Sequence, residues 1–277
     1  MITGKTTLIG HFGYPTEAFK APMIYNPWFE KKGIDAVVIP MGIKPEDYPT
    51  VMKSAFRLTI IRGALVTMPH KVTTMGLVDD VTPTARIAGA CNAILLRPDG
   101  KLVGDQFDGA GFVRGIERKG RKLAGARALV SGNGGVGCAI AASLAAAGVA
   151  ELMLHDNFDS ASQSLAARLR EHYPKLVVKT GSSDPTGYDL IVNATPLGMK
   201  ESDPLPFDMS KVSSSTFVGE VVMKQEMTPL LLAAKAKGCA YQLGTDMLYE
   251  MIPAYLEFCG FGSATADELR EVSQVRY

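Results

Sequence analysis

The stretch Ala128-Leu129-Val130-Ser131-Gly132-Asn133-Gly134-Gly135-Val136-Gly137 decides the fold. An apolar run, read as the strand Ala128 to Ser131, passes directly into a glycine turn. Residues Cys138 to Ala147 then continue as an alanine-rich helix that stops at Gly148. The glycines at 132, 134 and 137 fall on the G-x-G-x-x-G spacing. The first permits a tight turn, the second lets a pyrophosphate approach the backbone, and the third lets helix and strand pack closely. Glycines alone also mark ordinary turns, so the context decides. The next apolar run ends at His155-Asp156-Asn157, and Asp156 lies 24 residues after Gly132. That is close to the roughly 20 expected of an acid that binds the adenosine ribose hydroxyls. The competing reading of Asp156 is a solvated loop acid. A carboxylate at this place repels a 2′-phosphate and no Arg or Lys follows within the loop, so NAD is preferred over NADP. Gly132, Asn133, Gly134, Gly135, Val136, Gly137 and Asp156 are the candidate cofactor residues.

Outward from the turn, the chain alternates strand and helix. Strands are expected at 151–155, 176–179, 189–194, 216–222 and 240–243, which gives a doubly wound parallel sheet of the Rossmann type. Thr228-Pro229 opens a helix as N-cap and first-turn proline, and Gly238 ends it. Upstream, strands at 6–11, 35–40 and 63–67, a helix over 45–56 and a hairpin turning at Pro98-Asp99-Gly100 make a separate α/β unit. A last helix over 247–258 contains Pro253, which predicts a kink or a break, and it should pack back on the first unit. The class is therefore α/β with two domains: residues 1–104 joined by 246–277, and a dinucleotide-binding domain over 105–245.

The chain has 277 residues, 47% of them apolar and 21% charged, which is the balance of an ordered globular protein rather than a disordered one. A net charge of +1 with mixed signs gives no field to hold a polyanion or an anionic bilayer, which excludes nucleic acid and membrane as partners. No apolar run reaches the roughly 18 residues of a membrane span, and the N-terminus lacks a signal pattern, so a cytoplasmic location is expected. The four cysteines, Cys91, Cys138, Cys239 and Cys259, form no metal-ligand spacing and read as buried thiols, so no metal is expected. The sequence admits a homodimer without fixing an oligomeric state.

Three segments of the first unit carry chemistry: Gly63-Ala-Leu-Val-Thr67-Met-Pro-His70-Lys71, Gly89-Ala-Cys-Asn92-Ala93 and Gly104-Asp105-Gln-Phe107-Asp108-Gly109. In this order, followed by the glycine turn, by Asn193-Ala-Thr195-Pro-Leu-Gly-Met199, by Thr228-Pro-Leu-Leu231 and by Met247-Leu248, the chain resembles the shikimate/quinate dehydrogenase family. Each motif alone is weak, but their ordered set is specific. The resemblance implies that Lys71 and Asp108 are the catalytic pair, that Thr67 and Asn92 bond substrate hydroxyls, and that Asn193, Thr195 and Gly244 border the cofactor. It implies a cyclic hydroxy acid as substrate, of the kind met in aromatic amino acid biosynthesis. Hydride transfer from a secondary alcohol requires a proton to leave the oxygen, and a lysine beside a carboxylate suits that exchange. Outside the motif Lys71 would read as a solvated lysine. His70 is read as a structural histidine and Asp105 as a neighbour of the matching acid, Asp108.

The sequence also departs from the family pattern. A Ser-x-Ser-Pro segment whose hydroxyls bind the substrate carboxylate is here Phe19-Lys20-Ala21-Pro22. Phe107 replaces a threonine, Met223 a tyrosine and Met251 a glutamine. Each lost hydrogen bond to a carboxylate costs about 1.5 to 3 kcal/mol, so weak activity on shikimate is expected. Either Lys20 supplies the lost contact, or the substrate is a less polar ring, or Lys20 simply points to solvent. The leading function is an oxidoreductase interconverting an alcohol and a ketone. The alternatives are a sensor that kept the fold without turnover, and an NAD-linked enzyme for a fused-ring or one-carbon substrate.

Overall fold

A computed structural model describes residues 2–277. The chain divides into two compact units, one made of the residues up to Phe107 with Tyr249–Arg276, the other of Asp108–Leu248 with Tyr277. Both boundaries fall slightly later than 104/105 and 245/246. Residues 105–107 stay with the first unit because the Phe107 amide donates to Asn92 Oδ1 at 2.9 Å and its ring packs on Tyr255 and Phe258.

The first unit runs β1 (Thr7–Gly13), α1 (Pro22–Lys32), β2 (Ala36–Gly42), α2 (Tyr48–Ala55), β3 (Ile61–Val66), α3 (Lys71–Thr74), β4 (Asp80–Val81), α4 (Pro83–Ala88), β5 (Ala93–Leu96) and β6 (Leu102–Asp105). Its sheet has the order β2-β1-β3-β5-β6-β4. β1 runs parallel to both neighbours, whereas the β5–β6 hairpin is antiparallel and turns on Gly100 at φ 83°. One face of β1 and β3 buries Leu8, Phe12, Ala64 and Val66 against Tyr48, Met52 and Phe56. Each large side chain so buried contributes about 1.5 to 3 kcal/mol.

The second unit contains α5 (Asp108–Arg118), β7 (Arg127–Ser131), α6 (Gly135–Ala146), β8 (Glu151–His155), α7 (Asp159–His172), β9 (Val177–Thr180), β10 (Leu190–Asn193), β11 (Phe217–Glu220), α8 (Pro229–Ala236) and β12 (Tyr241–Gln242). All its strand pairs are parallel, in the order β12-β11-β10-β7-β8-β9. Order reverses between β7 and β10, and ligands of such sheets bind outside the carboxyl ends of the strands at that switch. α8 begins as its sequence indicates, with the Thr228 hydroxyl accepting from Leu231 N and Gly238 left-handed at φ 76° after its end. α5 lies against α6 so closely that a Cβ at Gly109 would come 2.0 Å from Ala139 O.

Of the kink or break expected at Pro253, the break does not occur. α9 (Gly244–Phe258) is one helix that starts earlier than predicted and runs through the proline, and α10 (Ala266–Val272) follows. Proline inside a helix costs about 3 kcal/mol, but Ile252, Tyr255 and Leu256 beside it are all buried, and their burial outweighs that cost. No described helix is long and apolar enough to cross a membrane.

Candidate active site

In the first unit, three sequence motifs meet at Asn92. Its own amide donates to Asp105 O and its carbonyl accepts from Val66 N, at 2.9 and 2.7 Å, which ties it to the strands on both sides. The preceding residue, Cys91, donates its amide to Lys71 O at 2.9 Å. The Asn92 carbonyl also accepts from the Tyr255 hydroxyl at 2.5 Å, and its side-chain Oδ1 accepts the Phe107 amide at 2.9 Å. Only the Nδ2 group is left, buried and without a partner among the described residues. A buried amide nitrogen left unbonded costs about 1 to 3 kcal/mol, so its place calls for an acceptor from outside the chain.

Thr67 follows β3 and its amide donates to Phe12 O at 2.8 Å, so the residue continues the pairing of β1 with β3. Its methyl and the Phe19 ring both lie against Gly13, where a Cβ would come 2.3 Å from Thr67 Cγ2 and 2.7 Å from Phe19 Cζ. Lys71, half-buried, opens α3. His70 just before it is structural, as its sequence position suggests: the ring stacks on Tyr48 with centroids 3.8 Å apart and Nε2 bonds Ile43 O at 2.8 Å. Asp105 is occupied too, accepting from the Thr82 hydroxyl at 2.5 Å and from Gln106 N at 2.7 Å. Lys20 is buried, with its ammonium donating to Arg276 O, and burial lowers its pKa. Met251 sits half-buried on α9.

His11, on β1, escaped the sequence reading. It is 7% exposed, it stacks on Phe19 at a centroid distance of 4.1 Å, and its Nδ1 is buried without a partner. Burial, helped by the Lys71 charge, pushes the imidazole down to about 3. A histidine inside the apolar run Thr7-Leu-Ile-Gly-His11-Phe-Gly13 was the signal that could have found it.

In the second unit, Asp108 is the first residue of α5, directly after Phe107, and is only 2% exposed. The glycine turn follows β7. Gly132 is left-handed at φ 93°, and a Cβ on it would lie 2.6 Å from Ala194 O. A Cβ on Gly137 would lie 1.8 Å from Gly132 O, so only glycine lets α6 close on the turn. Gly134 is exposed and a Cβ there would meet nothing within 4 Å. Asp156 accepts Asn133 N at 2.6 Å and Phe158 N at 2.9 Å, which binds the end of β8 to the turn. Ser162 donates to Asn133 Oδ1 at 2.8 Å and leaves Asn133 Nδ2 buried without a partner. The opening above Gly134, the first-turn amides of α6, which no helical carbonyl can reach, and this orphaned Nδ2 fit a dinucleotide pyrophosphate.

Asn193 and Thr195 shape the neighbouring loop. The Thr195 amide and hydroxyl donate to Asn193 Oδ1 at 3.1 and 2.6 Å, while Asn193 Nδ2 donates to Leu197 O at 2.9 Å and to Glu220 Oε1 at 3.0 Å. Glu220, a lone acid in an apolar strand, was not singled out from sequence. It is fully buried and also accepts from Val221 N, Val222 N and the Thr228 hydroxyl at 2.8 to 3.0 Å. Burial raises its carboxyl above the ordinary value while these donors pull it down. Gly244 begins α9, where a Cβ would come 2.5 Å from Val222 O, so this glycine serves a close backbone approach. All four cysteines are free and buried.

A parallel sheet with this strand order and this turn is a dinucleotide-binding fold, and the chain joins it to a separate α/β unit. A family model described as the shikimate dehydrogenase substrate binding domain matches residues 12–94. A protein of Paramagnetospirillum magneticum named shikimate dehydrogenase (NADP(+)) is 33% identical, over 97% of this chain and 98% of the relative. Among solved structures, the 5-ketofructose reductase of a Gluconobacter strain is 27% identical with a TM-score of 0.85, covering 98% of both chains. The quinate dehydrogenase from Corynebacterium glutamicum in complex with NAD is also 27% identical, with a TM-score of 0.85 over 96% of this chain and 98% of that one. The chain belongs to the shikimate dehydrogenase family, and it is an NAD(P)-dependent dehydrogenase.

Proposed function

We propose that this dehydrogenase interconverts a secondary alcohol and a ketone on a polyhydroxylated ring of the shikimate and quinate kind, using NAD in preference to NADP, with Lys71 and Asp108 as its proton-handling pair. The observation that carries this reading is the convergence on Asn92, whose side chain keeps a buried amide nitrogen open beside the segments that bear Lys71 and Phe107. In this reading Asn92 Nδ2 and the Thr67 hydroxyl hold two substrate hydroxyls. Lys71 and Asp108 exchange the proton of the reacting oxygen, which a positioned acid–base pair accelerates by about 10² to 10⁴. A bound nicotinamide supplies the hydride acceptor or donor.

The preference for NAD rests on Asp156. Two backbone amides hold its carboxylate at the end of β8, where its charge opposes a 2′-phosphate. The relatives bracket the choice, since one is named for NADP(+) and the quinate dehydrogenase is in complex with NAD. They also bracket the substrate, from ring acids to the keto-sugar that names the Gluconobacter reductase. Phe19 and Ala21 bring no hydroxyl to the segment where the family binds a carboxylate, and weak turnover of shikimate follows.

The test is absorbance at 340 nm with NAD or NADP against shikimate, quinate and neutral polyols, for wild type, Lys71→Ala and Asp156→Ala. Turnover with NAD that falls at least a hundredfold in Lys71→Ala, with Asp156→Ala narrowing the gap between NAD and NADP, supports the reading. Nucleotide binding without turnover on any compound would overturn it in favour of a sensor.

A further inference from the structure

The Phe19-Lys20-Ala21 segment of the first unit is poor in the donors that a buried carboxylate needs. A carboxylate taken out of water requires several charge-assisted donors. At the Phe19-Lys20-Ala21 segment two side chains carry no donor, and one of the three N–H groups of the Lys20 ammonium is turned to the Arg276 carbonyl. What stands there instead is a pair of rings. Phe19 lies flat against His11 at an interplanar angle of 28°, with its edge beside Gly13 and Thr67. The imidazole keeps an unbonded ring nitrogen although the residue is almost entirely buried.

We propose that His11 and Phe19 form a stacked wall of the substrate pocket that selects an uncharged polyol or keto-sugar over a ring acid, with the His11 imidazole hydrogen-bonding a substrate hydroxyl. The inference rests on the oxidoreductase reading above and names the substrate class of that same site. The chemistry of each partner suits the role. A neutral imidazole offers one donor and one acceptor, as a hydroxyl does, and a flat ring packs on the C–H face of a sugar without demanding charge. The ring is neutral throughout the working range, because burial and the Lys71 charge push its protonation down to about 3. His11 therefore acts as a specificity residue without contributing a titration to the rate profile.

A probe that removes the charge and keeps the ring makes the test direct. Shikimate and its methyl ester share one ring and differ in the carboxylate, and a neutral ketose series extends the comparison. The ester or a neutral polyol should exceed shikimate in kcat/KM by tenfold or more. His11→Phe, which keeps the stack and removes the nitrogens, should raise KM for the neutral substrate about tenfold with kcat little changed, as for loss of one neutral hydrogen bond. His11→Gln should restore part of the affinity, and no variant should shift the pH–rate profile. The double variant Phe19→Ser/Ala21→Ser should move preference toward the acid. Shikimate turning over better than its ester, with KM indifferent to His11→Phe and His11→Gln, would overturn this inference while leaving Lys71-dependent catalysis standing. Turnover of no compound, acid or neutral, would overturn both.

Discussion

Two glycines of one turn should fail in opposite ways when each is changed to alanine. At Gly137 the new Cβ would sit 1.8 Å from Gly132 O, 2.8 Å from Gly132 C and 3.3 Å from Ala194 Cβ. The first two are backbone atoms, so relief requires α6 to move away from β7. Overpacking of this kind costs about 1 to 3 kcal/mol, and the backbone contact puts Gly137→Ala at the upper end, about 3 kcal/mol. At Gly134 a Cβ would meet nothing within 4 Å, and φ of −76° is ordinary for alanine. Gly134→Ala should therefore leave stability unchanged or raise it by about 0.4 to 1 kcal/mol through the unfolded state. Yet its methyl would stand where the proposed cofactor site has the pyrophosphate approach, and NAD affinity should fall at least tenfold. Urea unfolding without cofactor, together with calorimetric titration of NAD, separates the two. Gly134→Ala binding NAD as tightly as wild type would refute the placement of the phosphates, and Gly137→Ala unfolding at the wild-type midpoint would refute the packing argument.

Thr67→Val removes a hydroxyl that has no partner among the described residues, so the melting temperature should hold while KM rises about tenfold; an unchanged KM would remove Thr67 from the substrate contacts. Glu220 gives a pH signature. Its carboxyl is raised above 4.5 by burial, so the folded chain binds this proton more tightly than the unfolded one. The stability from this linkage is full below about pH 4.5 and declines as pH rises through the raised value. Urea unfolding across pH 4 to 8 should show that decline in wild type and lose it in Glu220→Gln, and equal slopes would count against the assignment.

The dinucleotide unit was legible because its parallel strands are buried on both faces and read as short apolar runs between glycines and helices. All six of its strands lie within a few residues of their expected places. The first unit was harder. β4 is only Asp80–Val81, too short to leave a period, and it pairs with β6 from a distance in sequence. α9 ran through Pro253 because burial outweighed a local rule. In the site, the motif residues came from a resemblance of ordered segments, but Lys20 and Arg276 are bonded from opposite ends of the chain, and no local pattern records that. His11 and Glu220 were missed for a shared reason. Each is an ionisable residue in an otherwise apolar strand, and its meaning comes from partners outside that strand, Phe19 for His11 and Asn193 and Thr228 for Glu220.

The way Asn92 is held also bears on how such an enzyme changes over time. Four hydrogen bonds hold it to the scaffold, through its amide, its carbonyl and Oδ1, and none of those bonds involves positions 11, 19 or 21. On the proposed reading, selectivity can therefore drift at the His11 and Phe19 rings while the scaffold that holds Asn92 stays as it is. A combinatorial library at His11, Phe19 and Ala21 should yield folded proteins with dispersed substrate preferences, whereas one at Asn92 should yield mostly inactive ones.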